Sequence, residues 1–174
     1  MKNIVLLGFM GTGKSIIGRR LAVELGYRFA DTDQIIEERA HKRIDKIFAE
    51  EGESWFRQLE LETVHDVSGW SGYVISTGGG VPLQEENLKA LSGNGILVSL
   101  KARPEVILRR VRKRLGKRPL LRGPHPLSRI TRLLTERQPF YDRAAFSIDT
   151  SDVDVQESVR RIKIKVLERM GENS

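Results

Sequence analysis

The sequence predicts an α/β fold built on a parallel sheet, and three observations carry that prediction. Five short apolar runs alternate with longer amphipathic stretches, the pattern of right-handed βαβ crossovers. The first apolar run leads into Gly8-Phe9-Met10-Gly11-Thr12-Gly13-Lys14-Ser15, which matches G-x-x-x-x-G-K-[ST], and a helical pattern follows at once. The chain has 174 residues, 39% of them hydrophobic, and no cysteine, enough for one compact domain whose core holds without disulfides.

Ile4–Leu7 reads as a buried strand, because four apolar residues bounded by a glycine loop are too few for a helix. Lys14–Leu25 is helical, with Ile17, Leu21 and Leu25 spaced four apart on one face. Tyr27–Ala30 is the second strand, entered through the Gly26 break. A helical stretch runs over Thr32–His65; Asp31 or Thr32 caps its first part, Gln34–Ala40. Tyr73–Ser76 is the third strand, Glu85–Leu91 a helix and Ile96–Leu100 the fourth strand. Pro104–Arg114 is a helix opened by proline. A loop bracketed by Gly and Pro, within about 112–126, has the look of a mobile lid. Pro126–Phe140 is a helix that Pro139 stops, Phe146–Ile148 the fifth strand, and Val155–Met170 the last helix.

The net charge is +7, and it is unevenly spread. Lys101 to Arg143 holds 14 Lys or Arg against 3 Asp or Glu; the remainder holds 16 basic and 20 acidic residues. Such a block suits nucleic acid or a small polyanion such as ATP. Its two aromatics, Phe140 and Tyr141, lie together at its end, so it lacks a base-stacking platform and nucleic acid is not the expected partner. No apolar run approaches the ~20 residues of a membrane span. The N-terminus does not read as a signal peptide. The expectation is a cytoplasmic monomer.

Parallel sheets bind ligands beyond the carboxyl ends of their strands, so the residues after each strand are the candidates. After the first, backbone N–H groups of the glycine loop turn toward phosphates, Lys14 reaches the terminal phosphates, and the Ser15 hydroxyl suits Mg²⁺. After the second, Asp31 and Asp33 point to different neighbours, one to a metal and one to a substrate. After the third, Gly78-Gly79-Gly80 exceeds what a turn needs and points to close approach of a ligand. Arg57 and Glu60 share a helix face, and an arginine held by a glutamate suits two-point binding of a carboxylate. Arg118 lies in the lid, and Arg137 is a second anion clamp. His41, His65 and His125 show no metal-ligand spacing.

In this order and spacing, Gly8–Ser15, Asp31-Thr32-Asp33, Phe56-Arg57-x-x-Glu60, Gly78-Gly79-Gly80, Arg118-Pro119-Leu120-Leu121 and Glu136-Arg137-x-Pro139-x-Tyr141 resemble the shikimate kinase family. The resemblance runs from about Lys2 to Ile148. It implies a three-layer P-loop fold of the nucleoside-monophosphate-kinase type, a five-stranded parallel sheet in the order 2-3-1-4-5. A single kinase domain over 1–174 then carries a substrate-binding region at about 32–66 and the lid. The implied reaction is ATP-dependent phosphorylation of the shikimate 3-hydroxyl, in chorismate and aromatic amino acid biosynthesis.

The resemblance also implies roles. Gly11, Thr12, Gly13, Lys14, Ser15 and Ile16 bind the nucleotide, with Arg110 against adenine and Arg118 on the ATP phosphates. Asp33 holds the ring hydroxyls and sits near the acceptor. Arg57 and Arg137 bind the shikimate carboxylate, and Gly78, Gly79 and Gly80 line the substrate. Ser15, with Asp31 through water, holds Mg²⁺. Lys14, Asp33 and Arg118 form the catalytic set. Two departures stand out. Ile16 replaces the hydroxyl residue more usual after Ser15, and the loop Asp149–Asp154 is acidic where the family often has a basic or proline-containing adenine loop. Another small-substrate kinase of this fold, such as a gluconate kinase, would keep the phosphate loop and lid but not Arg57, the glycines and Arg137. A regulatory or RNA-binding module using the basic block would need neither Asp33 nor Arg57.

Overall fold

The computed structural model describes residues 1–112 and 124–171. The elements run β1 (Asn3–Leu7), α1 (Lys14–Leu25), β2 (Arg28–Asp31), α2 (Thr32–Ala40), α3 (Ile44–Glu50), α4 (Glu53–Ser68), β3 (Tyr73–Ser76), a 3₁₀ turn (Val81–Leu83), α5 (Glu85–Gly93), β4 (Gly95–Lys101), α6 (Pro104–Val111), α7 (Pro126–Tyr141), β5 (Phe146–Asp149) and α8 (Val155–Gly171). The five strands are all parallel, in the order β2-β3-β1-β4-β5, as the resemblance implied.

β1 explains the layering. All five of its residues are buried, and alternate side chains leave opposite faces of the sheet. Ile4 and Leu6 join a core with α1 and α8, built from Ile17, Leu21, Val159, Ile162 and Val166. Val5 and Leu7 join a core with α4 through α7, among them Val64, Leu88, Ile107 and Ile130. A central parallel strand covered on both faces therefore reads as a continuous apolar run. Helix α1 lies so close to the sheet that a Cβ on Gly18 would meet the Phe29 ring at 2.7 Å and Leu6 at 3.2 Å.

The expected helical stretch over Thr32–His65 is broken twice. His41 caps α2 in the left-handed region at φ 50°, and Gly52 precedes α4 at φ 88°. The break lets α2, α3 and α4 fold around a small core of their own, Ile36, Ile47 and Phe56. Pro139, expected to stop its helix, lies inside α7, which continues to Tyr141. Proline fixes a helical φ but has no N–H for the Thr135 carbonyl, so α7 forgoes one hydrogen bond there and ends two residues later.

Two details position the site. β2 and β3 are in register with Asp31 opposite Ser76, so the loops beyond them leave the sheet level with each other. β1 lies between β3 and β4, which puts the glycine loop beside both. Among the described residues, no helix is long and apolar enough to cross a membrane.

Candidate active site

The loop after β1 is held in shape by its own groups. Gly11 and Gly13 take φ of 79° and 99°, values that side chains disfavour. The Thr12 hydroxyl donates to the Phe9 carbonyl at 2.8 Å. The Lys14 ammonium donates to the Gly8 and Phe9 carbonyls at 2.7 and 3.0 Å, so its charge lies across the loop. Gly13 caps α1, whose N-terminus therefore opens onto the loop. Ile16 is 60% exposed on the first turn of that helix, directly after Ser15.

Asp31 caps α2, one of the two residues the sequence offered for that role, and also faces Ser15. It caps α2 by accepting the Asp33 N–H on Oδ1 at 3.1 Å. Its Oδ2 accepts the Ser15 hydroxyl at 2.7 Å, and Ser76 Oγ lies 3.5 Å from Ser15 Oγ. Hard oxygens from two strand ends and the first turn of α1 thus gather at the helix N-terminus. This set fits Mg²⁺, which takes one or two protein oxygens and completes its shell with phosphate and water.

The loops after β2 and β3 are joined by Thr32, whose hydroxyl accepts the Gly78 N–H at 2.9 Å. None of Gly78, Gly79 and Gly80 has a positive φ. Their need is for room. A Cβ on Gly78 would lie 2.5 Å from Asp33 Oδ1, and one on Gly80 would lie 2.6 Å from the Arg57 guanidinium. The outer two glycines therefore make space for the site's own charged side chains. Gly79 alone has ordinary clearance, 3.7 Å to Gly8 O and Met10 N and 3.8 Å to Arg137 Nη1.

Arg57 donates to Glu60 at 2.8 Å and to Glu53 at 3.3 Å. Glu60 is only 1% exposed. Burial pushes its carboxyl above the ordinary range, and the positive charges of Arg57 and Arg137 oppose that push without cancelling it. Burial disfavours the Arg57 charge, but the Glu60 and Glu53 carboxylates outweigh it and raise that pKa. The pair is thus more than the ordinary surface contact its sequence spacing alone allows.

Arg137 is buried on α7, its guanidinium 5.6 Å from the Phe9 ring centre. It donates to Gly79 O at 3.4 Å, and the Tyr141 hydroxyl donates to the same oxygen at 2.9 Å. Burial raises the Tyr141 pKa, which keeps the phenol protonated for that bond.

The structure thus brings Lys14, Ser15, Asp31, Asp33, Arg57, Gly78–Gly80 and Arg137 to the carboxyl ends of β1, β2 and β3. Arg118 lies outside the described residues. Arg110 sits on α6 and donates to Gly11 O at 3.2 Å and to the Thr150 hydroxyl at 2.9 Å. The acidic loop after β5 is well tied down: Arg103 forms a two-point pair with Asp152 at 2.6 and 2.7 Å. Sequence reasoning missed Ser76 and Thr150, and it offered Thr32 only as a helix cap. Each is a buried hydroxyl at or just past a strand end, and that position was the available signal.

The family model described as Shikimate kinase matches residues 10–167. The shikimate kinase of Caldanaerobacter subterraneus subsp. tengcongensis is 46% identical over 162 residues, 93% of this chain and 94% of its own. That of Thermodesulfovibrio yellowstonii is 44% identical over 171 residues, 98% of each chain. A structure of the shikimate kinase from Acinetobacter baumannii in complex with shikimate aligns with a TM-score of 0.92 at 35% identity, over 97% of this chain and 94% of that one. A gluconokinase from Sinorhizobium meliloti, at 19% identity and a TM-score of 0.61, shares the fold alone. The family model spans most of the chain and these shikimate kinases are matched over nearly their whole length, so the chain belongs to the shikimate kinase family.

Proposed function

We propose that this protein transfers the γ-phosphoryl group of ATP to the 3-hydroxyl of shikimate, giving shikimate 3-phosphate and ADP, within aromatic amino acid biosynthesis. The observation that carries this reading is the wall made by Asp33, Arg57, Gly79 and Arg137 beside the phosphate loop. Shikimate is a monoanion with three hydroxyls. Its carboxylate needs planar, two-point donors, which Arg57 and Arg137 supply. Its hydroxyl protons need an acceptor, which Asp33 supplies.

In the transfer, the acceptor oxygen forms a bond to the γ-phosphorus as the bridging oxygen to ADP leaves. The hydroxyl proton passes to Asp33. Lys14 and, from the lid, Arg118 neutralise charge on the moving phosphoryl group, a step that is mostly positioning and electrostatics. The backbone of Gly11 to Ile16 cradles the phosphates, and Arg110 lies against the adenine. Ser15 and Asp31 would hold Mg²⁺, which when bound with ATP neutralises charge on its phosphates. Gly78 and Gly80 keep Asp33 and Arg57 in place, while Gly79 offers its backbone to the substrate. We assign these roles to a single kinase domain acting as a monomer in the cytoplasm. Residues about 32–66 form its acceptor region, and about 112–126 its lid.

The test is ADP release with Mg-ATP and, separately, shikimate, gluconate and AMP. Release that depends on shikimate alone is the expected result. Turnover with gluconate or AMP instead, or release indifferent to shikimate, refutes the reading.

A further inference from the structure

Thr150 is the first residue past β5 and is 2% exposed. Its single hydroxyl proton is shared between the carbonyls of Thr12 at 3.0 Å and Lys101 at 3.1 Å. The same oxygen accepts Arg110 Nη1 at 2.9 Å, and the Thr150 carbonyl accepts Arg110 Nη2 at 2.5 Å. Arg110 also reaches the Gly11 carbonyl. The loops beyond β1, β4 and β5 therefore meet at one hydroxyl.

The glycine loop needs such an anchor. Thr12 lies between Gly11 and Gly13, both in the left-handed region, where glycine has several accessible conformations. The peptide between residues 12 and 13 is thus held by its hydrogen bonds more than by sterics. In a trans peptide the C=O and N–H point in opposite directions. Fixing the Thr12 carbonyl on Thr150 therefore also fixes the Gly13 N–H, which points away from Thr150.

We infer that Thr150 is a positioning residue for nucleotide binding: its hydroxyl, reinforced by the Arg110 charge, locks the 12–13 peptide so that the Gly13 N–H faces the phosphates. The inference rests on the proposed use of ATP. It gives the acidic loop after β5 a task in the phosphate half of the site.

The test compares Thr150→Val, which keeps the shape and removes the hydroxyl, with Thr150→Ser, which restores it. Affinities for ADP and for inorganic tripolyphosphate are measured by calorimetry, with KM for ATP and for shikimate alongside. Thr150→Val should weaken both ligands and raise the ATP KM about tenfold, the scale of one lost charge-assisted hydrogen bond. The shikimate KM should stay within about twofold, and Thr150→Ser should bind like the wild type. Unchanged tripolyphosphate affinity in Thr150→Val overturns the inference; so do equal changes in both KM values, or a serine variant as weak as valine. If melting shows that Thr150→Val does not fold, Arg110→Ala on the protein surface replaces it. That variant must weaken tripolyphosphate, which has no base for Arg110 to touch, or the inference is overturned. Wild-type protein that binds tripolyphosphate yet ignores shikimate refutes the proposed function and leaves the comparison at Thr150 intact.

Discussion

Substituting the three glycines after β3 one at a time separates space made for the protein from space made for a ligand. In Gly78→Ala the new methyl would lie 2.5 Å from Asp33 Oδ1, about 0.9 Å short of ordinary contact. The Asp33 side chain is short, so it relieves the clash by moving as a unit, carrying the proton acceptor with it. A displacement near 1 Å at a reacting group costs about 10²-fold in rate, or about 2.7 kcal/mol of barrier. Gly78→Ala should therefore lower kcat about 10²-fold with little change in Tm. In Gly80→Ala the obstacle is the Arg57 guanidinium at 2.6 Å, the far end of a flexible side chain. The cost in stability is small, and the effect should appear as a raised KM for shikimate. Gly79→Ala meets nothing nearer than 3.7 Å, so the fold accepts it and any kinetic defect comes from the ligand side. The assays are steady-state kinetics in both substrates and thermal melting. A Gly78→Ala protein with wild-type kcat would refute the reasoning, because the carboxylate would then have moved without consequence.

Three further outcomes are expected. Arg57→Ala and Arg137→Ala should each raise KM for shikimate at least tenfold and leave KM for ATP nearly unchanged; equal effects on both would argue against a carboxylate clamp. Glu60 has a carboxyl pKa raised by burial, so the folded state binds its proton more tightly than the unfolded state does. Its contribution is most favourable below the ordinary glutamate range and is lost as pH rises from about 4.5 through the raised value. Melting curves of the wild type and Glu60→Gln across that window should show the wild type losing ground as pH increases, and parallel curves would contradict the sign. Gly18→Ala gains about 1 kcal/mol of helix propensity but drives a methyl to 2.7 Å from the Phe29 ring. Overpacking costs about 1–3 kcal/mol, so denaturant titration should find the alanine protein less stable.

The fold was legible because local and global signals agreed. β1 is apolar from Ile4 to Leu7 since both sheet faces are covered, and the glycine loop marks where α1 starts. The break between α2 and α3 was not legible, because it depends on a histidine in a left-handed conformation, which few residues other than glycine adopt and no pattern announces. Pro139 misled because a proline removes one helical hydrogen bond without fixing the residue at which the helix ends: α7 runs two residues past it. The candidate site was visible as residues, but not as a network. The sequence placed Arg57 three residues before Glu60, but did not show that Glu60 is buried, with its carboxylate near Gly78 from a distant loop. The Thr32 bond to Gly78 and the role of Thr150 were invisible for the same reason: a threonine shows its worth only when its partner from a distant loop is known.

The matched ends of β2 and β3 have an evolutionary consequence. The α2–α4 excursion departs at Asp31 and its chain returns through β3 to Ser76, neighbours in register on adjacent strands. It also carries a small core of its own. An excursion that begins and ends on one edge of the sheet can be rebuilt without disturbing the strands that bear the nucleotide loop. Asp33 and Arg57 lie within this excursion, whereas Arg137 on α7 and the three glycines after β3 lie outside it.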